Sequence, residues 1–234
     1  MRKKEVKGLA NIIESLKDII QLLTPEQQVE LKENISVQQF KKNEVLYRDG
    51  EVPQMFHCLI SGKVKIYKDG VGGRTQIIRV VKPVEYFGYR AYFANQNYLT
   101  TAAAFETSTV CFFPNELMEK WLMNNNQLAM FFIRLLSVEL GNSDQRTVNL
   151  TQKHIRGRLA ESLIFLRDNY GLEEDSATLS IYLSREDLAN MSNMTTSNAI
   201  RTLSAFAQEK IIAIDGKKIK IIDSESLEKI NKIG

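Results

Sequence analysis

Two helix starts, Ser184 and Thr195, stand close together in the sequence, and between them lies Asn193, a residue type that tolerates the left-handed backbone of a sharp turn. Ser184 is a good N-cap, and Asp187, three residues on, answers it as a variant capping box. Leu188, Ala189 and Met191 supply the inner face of the first helix, with Ala189 small enough to let a second helix cross closely. Thr195 caps that second helix, whose Ala199, Ile200, Leu203, Phe206 and Ala207 fall at helical spacing and predict a buried face. Opposite lie Thr196, Ser197, Arg201, Ser204 and Gln208, which donate and accept hydrogen bonds. Ile211 to Asp223 then predicts two short strands around an Asp215-Gly216 hairpin turn. A helical hairpin with a solvated face is the plainer reading of the two helices alone. The added wing points instead to a winged helix-turn-helix whose second helix enters a DNA major groove, with Lys217, Lys218 and Lys220 placed where a phosphate backbone passes.

The rest of the chain must carry something other than this reader. With 234 residues and 44% apolar content it has room for two domains with real cores. A net charge of +3 means that any nucleic-acid contact depends on locally placed Lys and Arg. The opening MRKKEVKGLANIIESLKDII lacks the apolar core of a signal peptide, and no later run approaches membrane-spanning length, which predicts a cytoplasmic protein without membrane contact. Cys58 and Cys111 both sit in apolar strand-like runs and suit reduced, buried thiols.

Gly8 to Leu23 predicts an amphipathic helix, and Thr24-Pro25-Glu26 starts a second. From Val37 the period alternates in short pieces bounded by Gly, Asp or Pro (EVLYRDG, QMFHCLISG, KVKIYKDG, RTQIIRVVKP, STVCFFP), which predicts a β domain over about residues 36 to 113, a closed roll or jelly roll. Helical period returns at Pro114. Met118 to Leu150 is one long or once-broken helical run with two apolar stripes, Leu128-Phe132-Leu135 and Ile133-Leu136-Leu140: one to cover the roll, the other to meet a second copy. Past Leu140 the seam turns polar at Asn142, Ser143, Asp144 and Thr147. Ile155 to Tyr170 predicts a further helix closed by Gly171, and a strand-like Thr178 to Tyr182 leads into the reader. The expected architecture is α+β: an N-terminal double-stranded, jelly-roll-like β-roll with flanking helices over residues 1–150, including a dimerisation helix at about 115–150, and a winged helix-turn-helix domain over 151–234.

In that order and at this length, the pieces resemble the Crp/Fnr family of bacterial transcription factors. The resemblance covers nearly the whole chain and rests on Gly50…LISGKVKIY with Gly62, Tyr86-Phe87-Gly88 before Phe93, Asn149-Leu150…Gly157-Arg158-Leu159-Ala160, and the helix-turn-helix. It implies a homodimer on a twofold-symmetric DNA operator, with RNA polymerase as a further partner and no catalytic residues. The DNA contacts it implies are Ser184, Thr195, Thr196, Ser197, Asn198, Arg201, Lys217 and Lys218, with Arg201 on the base-reading arginine and Thr196-Ser197 replacing an Arg-Glu pair. The dimer contacts are Leu128, Phe132, Leu135, Leu136 and Leu140.

The effector is less determined. Nucleotide-binding members carry Gly, then Glu, then an Arg-Ser/Thr-Ala some ten residues on. Here Gly88 is followed by Tyr89 in place of the Glu, and Leu99-Thr100-Thr101-Ala102 has no Arg, so a cyclic phosphate loses its guanidinium partner and Arg90 is a poor substitute. The resemblance places the effector pocket at Gly88, Tyr89, Arg90, Thr100, Thr101, Ser143 and Asp144, and cyclic AMP is disfavoured. An iron-sulfur cluster is disfavoured because no cysteine precedes Cys58. Haem with a single His57 ligand stays open, since His57 and Cys58, adjacent in a strand, point to opposite faces; His154 reads as a hinge-region surface residue. A ligand-independent regulator also stays open. From other classes, a cupin-like metal enzyme finds too few histidines, 2 in the chain, and no metal site is predicted; a regulatory module without DNA binding would be told apart by duplex affinity.

Overall fold

The structure is a computed structural model describing residues 12–70 and 75–234. The part of the first predicted helix over residues 8–11 lies outside the described residues. Its remainder forms two short helical pieces, residues 12–15 and α1 (Lys17–Ile20), which bury Leu16 and Ile19. In α2 (Pro25–Asn34) the Thr24 hydroxyl accepts from the Gln27 amide at 3.3 Å while Gln27 Oε1 accepts from the Thr24 amide at 3.0 Å, a complete capping box.

Among the described residues eight strands come next: β1 (Ser36–Phe40), β2 (Val45–Tyr47), β3 (Met55–Ser61), β4 (Val64–Asp69), β5 (Thr75–Val81), β6 (Tyr86–Phe87), β7 (Thr101–Ala104) and β8 (Ser108–Pro114), with the short helix α3 (Tyr89–Phe93) after β6. They form two four-stranded sheets, ordered β1-β8-β3-β6 and β2-β7-β4-β5. Two tight turns require glycine. Gly62 has φ +87, and a Cβ there would lie 2.6 Å from the Thr107 carbonyl; Gly88 has φ +84, and a Cβ would meet His57 Nδ1 at 2.5 Å.

Strands β8, β3 and β6 of the first sheet are buried on both faces, while the edge strand β1 is largely exposed, and period 2 divides their side chains between two cores. Phe87, Leu59 and Val110 face the roll interior with Tyr47, Tyr98, Val64, Ala102 and Ala104. Phe56, Cys58, Tyr86, Cys111 and Phe113 face the other way, into a core closed by Leu16, Ile19, Leu31, Met118, Trp121, Leu128 and Phe132 from the helices. Cys58 and Cys111 are register partners across β3 and β8, both free and buried.

After the roll come α4 (Asn115–Asn124) and the long α5 (Asn126–Gln152), broken from each other at Asn125. The reader consists of α6 (Ile155–Tyr170), α7 (Arg185–Met191), α8 (Thr196–Gln208), the hairpin β9 (Ile212–Asp215) with β10 (Lys218–Ile221), and α9 (Ser224–Ile233). Leu159, Leu163 and Leu166 are fully buried, and Gly171 closes α6 as expected. Thr178 to Tyr182 is not a strand. It makes only the isolated bridges Leu172–Leu179 and Thr178–Lys220, because Asp175 ties the segment into a local turn by accepting from the Thr178 amide and hydroxyl, both at 2.8 Å. Two compact units result: residues up to Lys68 with Ile78–Glu139, and Asp69–Ile77 with Leu140–Gly234.

Candidate nucleic-acid interface and effector site

Local chemistry fixes the reader. Ser184 Oγ accepts from the Asp187 amide at 3.0 Å and donates to its carboxylate at 2.7 Å, starting α7. Asn193 takes φ +48 in the turn, and the Met194 amide donates to the Ala189 carbonyl at 3.0 Å. Thr195 Oγ1 accepts from the Asn198 amide at 3.2 Å, starting α8. Helix α8 buries Ala199, Thr202, Leu203 and Phe206. Its exposed face carries Thr196, Ser197, Arg201, Ser204 and Gln208, with Thr195 exposed at the cap and Asn198 half-buried beside it.

One expectation fails on this helix. Ile200 is not on the buried face: it is 48% exposed, among the polar residues. The inward stripe runs through Ala199, and the next residue is rotated about 100° around the axis, which carries Ile200 out of the core. Ala207, placed on the same stripe, is half-buried.

The wing differs in detail. Asp215 pairs with Lys218, so Asp215 is the last residue of the ladder and the turn is Gly216-Lys217. Gly216, with φ +55, is its only central residue at positive φ, the pattern of a Gly-X type II′ turn. Lys217 stands exposed at the tip. Lys218 Nζ lies 3.5 Å from Glu173 and 5.3 Å from the Tyr182 ring centre, and Lys220 lies 3.1 Å from Asp175, so the acidic loop partly neutralises these two cations. The Asp175 carboxyl is held far below the usual carboxylate range, chiefly by the Thr178 amide and hydroxyl.

Two supporting residues had no signal in the sequence, because their partners are distant along it. Arg185 donates to the Gly216 carbonyl at 2.7 Å and ties the first reader helix to the wing turn. Arg156 makes a two-pronged bond to Glu209 at 2.8 and 2.7 Å while lying over the Phe206 ring, which fixes the end of α8 against the start of α6.

In the roll, the residues expected to form one pocket separate. Gly88 caps α3, but Tyr89 turns away from the roll interior into the helix-side core and stacks on Phe56 with ring centres 4.9 Å apart. Strand alternation alone would keep Tyr89 on the Phe87 face; the left-handed Gly88, with φ +84, ends β6 and α3 begins at Tyr89, which breaks that alternation and sends the ring to the other side. Arg90 is exposed. Thr101 Oγ1 accepts from the Asp49 amide at 3.2 Å, and the Thr100 side chain bonds to Tyr47. Ser143 and Asp144 are exposed on α5, within the second unit.

Rings occupy the roll interior. Tyr47 stacks on Tyr98 at 3.8 Å, and His57 packs at 5.5, 5.0 and 5.0 Å from Tyr47, Phe87 and Phe112. Burial holds the His57 imidazole neutral, its pKa lowered to about 3 against the weaker opposite pull of the Met55 and Phe87 carbonyls. In the unfolded chain the same group titrates near 6.5. Between these values the unfolded state binds the extra proton, so stability is present above about pH 6.5 and is lost as pH falls toward 3, by up to about 1.4 kcal/mol per pH unit. Urea unfolding at pH 7 and pH 5 is expected to show this loss, and His57→Phe to remove most of it; an equal pH dependence in both proteins would refute the assignment.

The dimer residues also divide. Leu128 and Phe132 are buried in the chain's own helix-side core, so these two are corrected from dimer contacts to core residues, while Leu135 packs half-buried beside them. Leu136 and Leu140 remain outward, 39% and 64% exposed, with Ile133, 53% exposed, one turn before Leu136 on the same face.

With this geometry in view, the comparisons decide the family. The model of the Crp-like helix-turn-helix domain matches residues 157–230, and that of the cyclic nucleotide-binding domain matches residues 37–125. The chain belongs to the Crp/Fnr family. It is thus a DNA-binding transcriptional regulator and not an enzyme. Similar Crp/Fnr proteins include a CRP-like cAMP-activated global transcriptional regulator of Mycobacterium tuberculosis, 23% identical over 89% of this chain and 94% of that protein. Another is the transcriptional activator FnrA of Stutzerimonas stutzeri, 28% identical over 80% of this chain and 77% of that one. FixK2 of Bradyrhizobium japonicum shares the fold, with a TM-score of 0.76 at 20% identity over 84% of this chain and 97% of that structure. Among the described residues, no helix is long and apolar enough to cross a membrane.

Proposed function

We propose that this Crp/Fnr regulator acts in the cytoplasm as a homodimer, places one copy of α8 in each of two successive major grooves, and is not controlled by cyclic AMP in the usual mode. The observation that carries the DNA reading is the exposed polar face of α8 with Arg201 at its centre, the side chain suited to bidentate contact with guanine. The outward Ile133-Leu136-Leu140 stripe supports the dimer, continued by the polar Ser143 and Thr147 at heptad spacing.

Against cyclic AMP stand the sequence Leu99-Thr100-Thr101-Ala102, which offers no guanidinium, Tyr89 turned away from the roll interior, and the ring-filled interior around His57. A cyclic phosphate placed there would be buried unpaired. Control therefore rests with a different effector in the roll, or with none. RNA polymerase is the further partner of a regulator of this kind.

Duplexes selected from a random pool by the full-length protein test this reading. The expected outcome is a twofold-symmetric site containing a guanine in each half, weakened by salt. Arg201→Ala is expected to lose roughly 1–3 kcal/mol of affinity and to relax that guanine position. Unchanged discrimination in the variant would refute the role of Arg201, and failure to enrich any sequence would refute the DNA reading.

A further inference from the structure

The outward face of α8 is polar except at Ile200, which is 48% exposed between Ser197 and Ser204, three residues before and four after it on the same face. A β-branched apolar side chain left in water adds nothing to helix formation or to the core, which Ala199, Thr202, Leu203 and Phe206 complete without it. Its immediate neighbour in the chain is Arg201, also exposed. In the major groove the four bases offer donors and acceptors in distinct patterns, but thymine alone among them offers an apolar group, the C5 methyl. An exposed isoleucine amid hydrogen-bonding side chains has that one natural partner.

We propose that Ile200 is a specificity-determining residue that selects thymine in each half-site by packing on its C5 methyl, alongside the base read by Arg201. This deepens the DNA reading above and rests on it. Ile200 neither donates nor accepts a hydrogen bond, so its contribution is independent of phosphate contacts and of salt.

The test uses the full-length protein and the duplex enriched from the random pool. Each thymine in a half-site is replaced in turn by deoxyuridine, which removes the methyl and keeps base pairing. One such replacement is expected to weaken the wild-type complex about three- to ten-fold, the order expected for unburying a single methyl group. Ile200→Ala is expected to bind the thymine and deoxyuridine duplexes equally, with the same salt slope as wild type, which shows that its fold and phosphate contacts are intact. If no replacement affects the wild type, or if the variant keeps the wild-type dependence on the methyl, the proposal is overturned while the DNA reading stands. If no duplex is enriched at all, the DNA reading itself fails and the proposal with it.

Discussion

Phe132→Ala is expected to destabilise the roll domain by about 3–5 kcal/mol, the range for removing a buried aromatic ring and leaving the cavity open. Phe132 is 5% exposed and sits at 5.3, 5.7 and 5.7 Å from the rings of Phe56, Tyr86 and Tyr89. Those three partners come from β3, β6 and the start of α3, so the sheet cannot close around the hole without disturbing its hydrogen-bond ladder. The measurement is convenient because Trp121, the only tryptophan in the sequence, is buried in the same core and bonded through Nε1 to Glu30 at 2.7 Å. Its emission reports urea unfolding of this domain. Phe132→Leu, which keeps most of the volume, is expected to lose far less. A loss of unfolding free energy below about 1 kcal/mol for the alanine variant would show that α5 is not pinned to the roll through this ring.

The second large effect lies on the opposite side of the same helix. Ile133→Glu with Leu136→Glu places two charges on the outward stripe, where neither side chain contributes to the chain's own buried core. The fold is expected to survive and the dimer to dissociate, because like charges then meet across a seam built for apolar knobs. Losing the second tethered reader is expected to lower operator affinity by about 100-fold or more, as for other bivalent binders reduced to one arm. Analytical ultracentrifugation and Trp121 emission together check this: a folded variant that still sediments as a dimer would refute the assignment of that face.

Much of this was legible from residues alone, and the reason is local. The caps at Ser184, Thr195 and Thr24, the left-handed Asn193 and the closing Gly171 each act within a few residues, so their chemistry can be read in a window. The alternation of the roll strands was equally plain. What the window hid was which of two cores each strand face meets. Tyr89, placed in a pocket by its position after Gly88, turned instead to the helix side, and Leu128 and Phe132 were absorbed by the chain's own core rather than by a partner. Ile200 differs from its buried neighbour by a single helical step, a distinction that an apolar count over two turns does not resolve. The wing turn slipped by one residue because the pairing of Asp215 with Lys218 is a property of both strands together.

The double-faced sheet has a consequence for signalling. His57 and Phe87 line the roll interior, while Phe56 and Tyr86, one peptide unit away along the same strands, hold α5 through Phe132. A strand advances only about 3.3 Å per residue. A ligand that displaced the His57 ring would therefore not need a long relay of side chains to reach the helix. Rolling β3 or β6 slightly about its own axis moves both faces at once, so the backbone itself is the lever, and the inner ring and the outer ring are its two ends.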